Sequence, residues 1–242
     1  KTLDAYGFGG ILADDMGLGK TIQVIALLAD EALAHPESQS LIVCPASLVY
    51  NWENELRRFA PELAVTTVTG TAEEREKILR ERAPGAVTGA DRDAGAGFPV
   101  ASQVLITSYD LLKRDIAWYQ DRQFRFQILD EAQYIKNPGT QSAKAARAVC
   151  SRTRFALTGT PMENRVSELW SIFDFLMPGF LFSYGAFKKQ YELPIVRDGD
   201  ARALEALKKL TGPFILRRLK KDVLKELPEK LETVVYSRAE KE

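Results

Sequence analysis

A chain of 242 residues, 45% apolar and 27% charged, is long enough for one large core with a subdomain and too apolar for disorder to be the default. Its formal charge is zero, with 33 basic and 33 acidic residues, which excludes a global basic field and leaves local patches and backbone donors to supply any nucleic-acid affinity. No run of about 18 apolar residues suggests a membrane span, so no membrane partner is expected, and Lys1 opens without the charged and apolar regions of a signal peptide. A first residue other than Met suggests a segment of something longer.

The first strand candidate is "GGILA", followed by "DDMGLGKT" and the helical pattern "KTIQVIALLADEALAH", where Ile22, Ile25, Leu28 and Ala29 recur at helical spacing. In the loop, Gly17 and Gly19 permit backbone conformations that aim N–H groups at phosphate oxygens, and the helix adds its positive N-terminal end. Lys20 can supply a charge for the β and γ phosphates, and the Thr21 hydroxyl can complete the shell of a magnesium ion. The usual pattern G-x-x-x-x-G-K-[ST] places a glycine where Asp14 stands. The loop therefore reads either as a relaxed nucleotide site or as a glycine-rich helix entry without chemistry. His35, the one histidine, sits just before Pro36 as a helix-end surface residue, which excludes histidine catalysis.

"SLIVCP" is the second strand candidate, and "SLVYNWENELRRF" the helix after it, with Ser47 as its expected N-cap and Trp52 favoured as core over DNA contact. "AVTTVT" and "QVLITS" are further strands, separated by "TAEEREKILRER", a helix opened by Thr71, and by a Gly- and Ala-rich stretch over 83–103 that reads as a surface insertion. Cys44 and Cys150 lie in apolar segments far apart, so reduced, intracellular thiols are expected in place of a disulfide framework or zinc site.

"RFQILDE" places Asp130 and Glu131 at the end of an apolar strand, 110 residues beyond Lys20. Asp130 can hold magnesium while Glu131 orients and polarises the water that attacks the γ-phosphate. An acidic helix N-terminus is the plain alternative for "DE", but it leaves the pairing with "GKT" unexplained. "TRFALTG", the sixth strand, leads into Thr158, Gly159 and Thr160, which either sense the nucleotide or form an ordinary turn.

Six strands with intervening helices describe an α/β, doubly wound, mostly parallel sheet with ligands at the carboxyl ends of its strands. After Pro178 the pattern turns helical and, through Lys208, Lys209, Arg217, Arg218, Lys220, Lys221 and Lys225, locally basic. Residues 1–178 are thus expected to form the nucleotide lobe and 179–242 a C-terminal α-helical appendage whose charges serve a solvated face, a docking surface or DNA.

These segments together carry a family resemblance. "ILADDMGLGKTIQ" resembles motif I of the Swi/Snf-type DNA-dependent ATPases of helicase superfamily two, "LIVCPASLVYNWENEL" motif Ia, "VLITSYDLL" motif Ib, "LDEAQYIKN" motif II and "ALTGTPMENRVSELWSIFDFLMPG" motif III with its extension. "PFILRRLKKDVLKELPEK" looks like the segment joining the family's two lobes. Asp14 and Asp15 are then this family's way of writing a phosphate loop. The resemblance implies a RecA-like lobe that holds ATP through Asp15, Met16, Gly17, Leu18, Gly19, Lys20 and Thr21, with Mg²⁺ on Thr21 and Asp130 and catalysis by Lys20, Asp130 and Glu131. Gln133, Thr158, Gly159 and Thr160 would couple nucleotide state to movement. Pro45, Ala46, Ser47, Thr107 and Ser108 would approach the backbone of double-stranded DNA.

It further implies a second RecA-like lobe whose arginines reach the γ-phosphate, and a protein client whose identity the sequence does not give. Without that lobe, nucleotide binding with negligible turnover is expected. Gln133, where many members have His, is similar to bacterial members, so a prokaryotic, cytoplasmic and nucleoid-associated setting is expected over a nuclear one. The resemblance would place the family's adenine-reading glutamine ahead of Lys1, so adenine specificity is expected from the resemblance alone. A nucleotide-gated interaction module and a P-loop kinase-type phosphotransferase are the rival readings, the latter without a visible acceptor site.

Overall fold

The computed structural model describes residues 1–82, 103–159 and 166–223. The expectations for 83–102, Thr160 and Lys225 fall outside these residues. Within them, seven strands form one sheet: β1 Gly10–Leu12, β2 Ser40–Cys44, β3 Val65–Thr67, β4 Val104–Ser108, β5 Gln123–Leu129, β6 Cys150–Leu157 and β7 Ile215–Leu216. Their order is β3-β4-β2-β5-β6-β1-β7, and every pairing is parallel. All carboxyl ends therefore point to one edge, the edge where such sheets bind ligands.

β2 and β4 read as nearly continuous apolar runs because both faces of the sheet are covered there. Every residue of β2 and β4 is buried. Alternation along β2 sends Ile42 and Cys44 into one core with Val24, Ile25, Leu28, Trp52 and Leu56, from helices Lys20–Ala34 and Val49–Phe59. Leu41 and Val43 enter the opposite core with Leu112, Ala143, Ala146 and Phe173, from helices Tyr109–Arg114, Gln141–Ala148 and Val166–Leu176. Phe187, Tyr191 and Leu207, from the helical region after Pro178, join that second core.

Local signals account for some helix starts: Ser108, Thr140, Ser183 and Asp200 each cap the helix that follows. Thr71 and Glu74 form a reciprocal capping box at the start of helix Ala72–Arg82: the Glu74 N–H donates to Thr71 Oγ1 at 3.3 Å and the Thr71 N–H to Glu74 Oε2 at 2.8 Å. Ser47 does not cap its helix. Pro45, at φ −54°, starts a 3₁₀ turn over Ala46–Leu48, and the α-helix begins behind it at Val49.

The seventh strand falls where the sequence pattern reads as helix. Two apolar residues, Ile215 and Leu216, are too few to set a period of two, and long-range contacts decide the matter. They pair with Ile11 and Leu12, and the Ala13 N–H donates to the Leu216 carbonyl at 2.8 Å.

Cys44 and Cys150 are free thiols, the first buried and the second exposed. Burial, with the charge of Asp130 adding to it, pushes the Cys44 thiol up to about 12. A thiol-reactive disulfide reagent at pH 8 is therefore expected to modify one cysteine per folded chain, and Cys150→Ser to remove that reaction. Rapid labelling of Cys44 before unfolding would contradict the packing described here.

Candidate nucleotide-binding site

β1 delivers the chain into the loop over 13–19, which closes on helix Lys20–Ala34. Gly17 and Gly19 take φ of 85° and 75°, the left-handed region that side chains resist, and Gly19 is the helix N-cap. Gly159, at the end of β6, faces this loop: a Cβ there would lie 3.1 Å from Met16 Cγ and 3.7 Å from Lys20 Nζ. The glycine thus permits close approach of the two segments. The Lys20 ammonium turns back over the loop, donating to the Asp14 carbonyl at 2.7 Å and the Asp15 carbonyl at 3.4 Å.

The second half of the site is the turn after β5. Asp130 is held from two sides, for Trp52 Nε1 donates to its Oδ2 at 2.9 Å and the Tyr109 hydroxyl donates to its carbonyl at 2.8 Å. Burial raises the Asp130 carboxyl above its ordinary value, opposed by the Trp52 and Glu131 N–H bonds and by the charge of Lys20. Glu131 is a non-glycine residue at φ 50°, a strained conformation braced by its own N–H donating to Asp130 Oδ1 at 2.9 Å. Its carboxylate accepts from Gln133 Nε2 at 2.7 Å, and Gln133 Oε1 accepts from the Thr158 hydroxyl at 3.3 Å. Glu131, Gln133 and Thr158 thereby form one relay from the turn after β5 to the end of β6.

Asp14 and Asp15 have a different occupation from the phosphate-loop residues that follow them. The Asp14 side chain is fully buried and pairs with Arg218. The Arg218 Nε donates to both carboxylate oxygens at 3.1 and 3.0 Å, its backbone N–H donates at 2.9 Å, and Nη2 also reaches Gln23 Oε1 at 2.8 Å. Asp15 donates its N–H to the Arg218 carbonyl at 3.1 Å and accepts from the Lys220 N–H at 2.9 Å. Two acids at the mouth of the loop thus fasten the chain after β7 to the site.

Burial by itself would raise the Asp14 carboxyl, but the Arg218, Gln23 and backbone hydrogen bonds outweigh it, and the net value is lowered. A depressed carboxylate contributes stability above its unfolded value, about 3.9, and loses it as pH falls through the folded value. The clamp is therefore whole at neutral pH and opens in acid. Removing one partner of a buried pair costs about 3–5 kcal/mol, and because 42% of the Arg218 side chain is exposed the lower part of that range or less applies. Arg218→Met is expected to lower stability by about 2 kcal/mol in urea titrations at pH 7, with the deficit shrinking below pH 4. A deficit unchanged at acid pH would contradict the ionic origin.

The structure thus brings Gly17, Gly19, Lys20, Gly159 and Thr158 to one edge with Asp130, Glu131 and Gln133. Asp15, Met16, Leu18 and Thr21 lie in the same loop or its helix. Pro45, Ala46 and Ser47 follow β2 at that edge, with Ala46 and Ser47 exposed and Pro45 buried. Thr107 and Ser108 differ from an open backbone-contact surface, since both are buried. Thr107 Oγ1 donates to the Val68 carbonyl at 3.4 Å and Ser108 Oγ caps Leu111 at 3.3 Å. The Thr107 hydroxyl is thus committed to the Val68 carbonyl, and the Ser108 oxygen to its helix cap. Trp52 lies in the core as expected, 1% exposed, and its bond to Asp130 adds a role at the site. Arg218, read as part of a basic run, proves to be the cation of Asp14, while Gln23 and Tyr109 carry no signal in the sequence.

Among the described residues no cluster of three His, Cys, Asp or Glu could hold a metal alone, and none of the helices is long and apolar enough to cross a membrane. A hard divalent cation that keeps water and takes phosphate oxygens needs fewer protein ligands, and a hydroxyl with one carboxylate is a fitting set for Mg²⁺. Asp130 has the right chemistry and feels the charge of Lys20, which ties it to the loop that carries Thr21.

A parallel sheet that joins a GKT loop and an acidic pair at its carboxyl edge defines a P-loop nucleotide-hydrolysing fold. The model of the SNF2-related domain matches residues 2–242, and the chain belongs to that family. It is similar to the uncharacterized ATP-dependent helicase MG018 of Mycoplasma genitalium, with 39% identity over 98% of this chain and 21% of the relative. Helicase ssl-1 of Caenorhabditis elegans is 42% identical over 97% of this chain and 10% of its own length. The chain therefore spans a small part of these relatives. Among solved structures, the Sulfolobus solfataricus SWI2/SNF2 ATPase core in complex with dsDNA matches with a TM-score of 0.79 and 41% identity, over 96% of this chain and 45% of that one. The same organism's ATPase core domain matches with a TM-score of 0.73 and 39% identity, over 96% and 44%. The RecA-like α/β architecture expected from the sequence is the one observed.

Proposed function

We propose that this chain is the ATP-binding lobe of a DNA-dependent ATPase that couples hydrolysis to movement along duplex DNA. The carrying observation is that the Gly17–Lys20 loop and the Asp130–Glu131 turn lie at one sheet edge, near enough for the charge of Lys20 to act on Asp130, with Gly159 leaving room for Met16 of the loop. In this reading the loop N–H groups and Lys20 bind the β and γ phosphates, and Thr21 and Asp130 hold Mg²⁺. The ion would neutralise charge developing on the phosphates. Glu131 orients the attacking water and takes its proton. Gln133 fixes the Glu131 carboxylate, and Thr158 passes the position of that carboxylate to β6.

DNA is the proposed track, supported by the relative bound to dsDNA and by the exposed Ala46–Ser47 edge. A second lobe of the same protein completes the γ-phosphate site, and a prokaryotic, nucleoid-associated location accords with this reading. Contacts made to phosphates by amides and small polar groups position a protein without reading sequence. Affinity for duplex DNA is then expected to fall linearly with the logarithm of salt concentration and to vary little among sequences, as measured by fluorescence anisotropy. Salt-insensitive, sequence-selective binding would refute the assignment.

A further inference from the structure

Two aromatic hydrogen bonds converge on Asp130 from opposite sides, and they differ in what lies behind them. Tyr109 is buried, stacks on Tyr134 with ring centroids 4.9 Å apart, and donates to the Asp130 backbone carbonyl. Its neighbours Thr107 and Ser108 are buried, so this bond is a fixed pillar. Trp52 donates instead to the carboxylate itself. It stands one turn into helix Val49–Phe59, whose entry is the 3₁₀ turn Ala46–Leu48, and Ala46 and Ser47 are exposed at the site edge.

The path from that exposed turn to the carboxylate is short and stiff. Trp52 is 1% exposed and packed in the core that contains Cys44, Val49, Leu56 and Ile128, residues of β2, β5 and its own helix. A close-packed helix moves as a unit, so a shift at its first turn displaces the indole N–H relative to β5 and does not dissipate in side-chain motion. The same N–H fixes which way Asp130 Oδ2 points.

We infer that Trp52 is a positioning residue that transmits DNA occupancy at Ala46–Ser47 to the orientation of the Asp130 carboxylate, making metal-dependent hydrolysis responsive to DNA. This rests on the proposed function above. The indole ring fills core volume in either case; its N–H alone carries the coupling.

The test separates ring from N–H in the full-length protein that carries this domain. Trp52 is replaced by 3-benzothienylalanine, which keeps the bicyclic shape and lacks the N–H, and separately by Phe. ATPase rate is measured against Mg²⁺ concentration with and without duplex DNA. With benzothienylalanine, the half-saturating Mg²⁺ concentration is expected to rise about tenfold, the value of one hydrogen bond to a charged group, and the ratio of DNA-stimulated to basal rate to fall towards one. The thermal midpoint should stay near that of the unmodified protein, whereas Phe should lower it through the cavity it leaves. An unchanged stimulation ratio and Mg²⁺ dependence with benzothienylalanine would overturn the inference while leaving the proposed function intact. Absence of DNA stimulation in the unmodified protein would remove the proposed function and the inference with it.

Discussion

Lys20→Ala is expected to abolish measurable Mg·ATP binding by this chain and to reduce turnover of the complete ATPase by about 10²–10³-fold or more, the effect of deleting one preorganised charge-stabilising group. Two features of the geometry make the expectation sharp. The ammonium is held over the loop by the Asp14 and Asp15 carbonyls, so it is already positioned at the mouth of the left-handed glycines. The ammonium also lies near enough to the turn after β5 for its charge to act on Asp130. The variant loses two local hydrogen bonds to carbonyls and leaves both cores untouched, so its thermal unfolding should stay near that of the parent. Calorimetric titration reads the binding. Retained affinity would move the phosphate site elsewhere.

Glu131→Gln should separate binding from chemistry. The amide keeps the size of the side chain and leaves Asp130 and Lys20 unchanged, so nucleotide affinity is expected to persist within about twofold. Loss of a positioned general base typically removes about 10²–10⁴ in rate, so single-turnover hydrolysis in the complete ATPase should fall by about 10³. The relay from Gln133 also predicts a graded series. Gln133→Ala frees the Glu131 carboxylate without deleting it, and a smaller loss, about tenfold, is expected from one lost charge-assisted hydrogen bond. Undiminished turnover in Glu131→Gln would assign the water to another group.

How much of this could be read from the sequence depends on how local the determinant is. β2 and β4 announce themselves because burial on both faces makes each a nearly continuous apolar run, and β5 because Phe124, Phe126 and Ile128 alternate with polar residues. The loop at Lys20 is legible because its glycines and lysine are adjacent in the chain. The same holds for the Thr71–Glu74 cap, written within four residues. Features set by distant partners were hidden. β7 is two residues long and forms because β1 offers it a free edge, and Asp14 finds its cation 204 positions away at Arg218. The basic run after Pro178 read as a surface or a DNA contact, yet Arg218 is spent on the clamp.

Asp130 shows the same division. Its place at the end of an apolar strand is a local pattern, while its two supports arrive from helices 78 and 21 residues earlier. Thr107 and Ser108 sit at a strand end as expected, but strand ends in a parallel sheet are not uniformly exposed, and these two turn inward. The family resemblance identified the motifs; burial and hydrogen bonding distinguish those that face the site from those that support it.

The most direct test of the central claim, that one sheet edge forms a nucleotide site which a second lobe must complete, is calorimetry and ATPase assay on these 242 residues with and without that lobe supplied in trans. Mg·ATP should bind the chain, Lys20→Ala should remove the binding, and turnover with saturating duplex DNA should stay near background until the second lobe raises it by about 10³–10⁵, the contribution of arginine fingers in phosphoryl transfer. Failure to bind nucleotide, or full DNA-stimulated turnover by the 242 residues alone, would contradict the account.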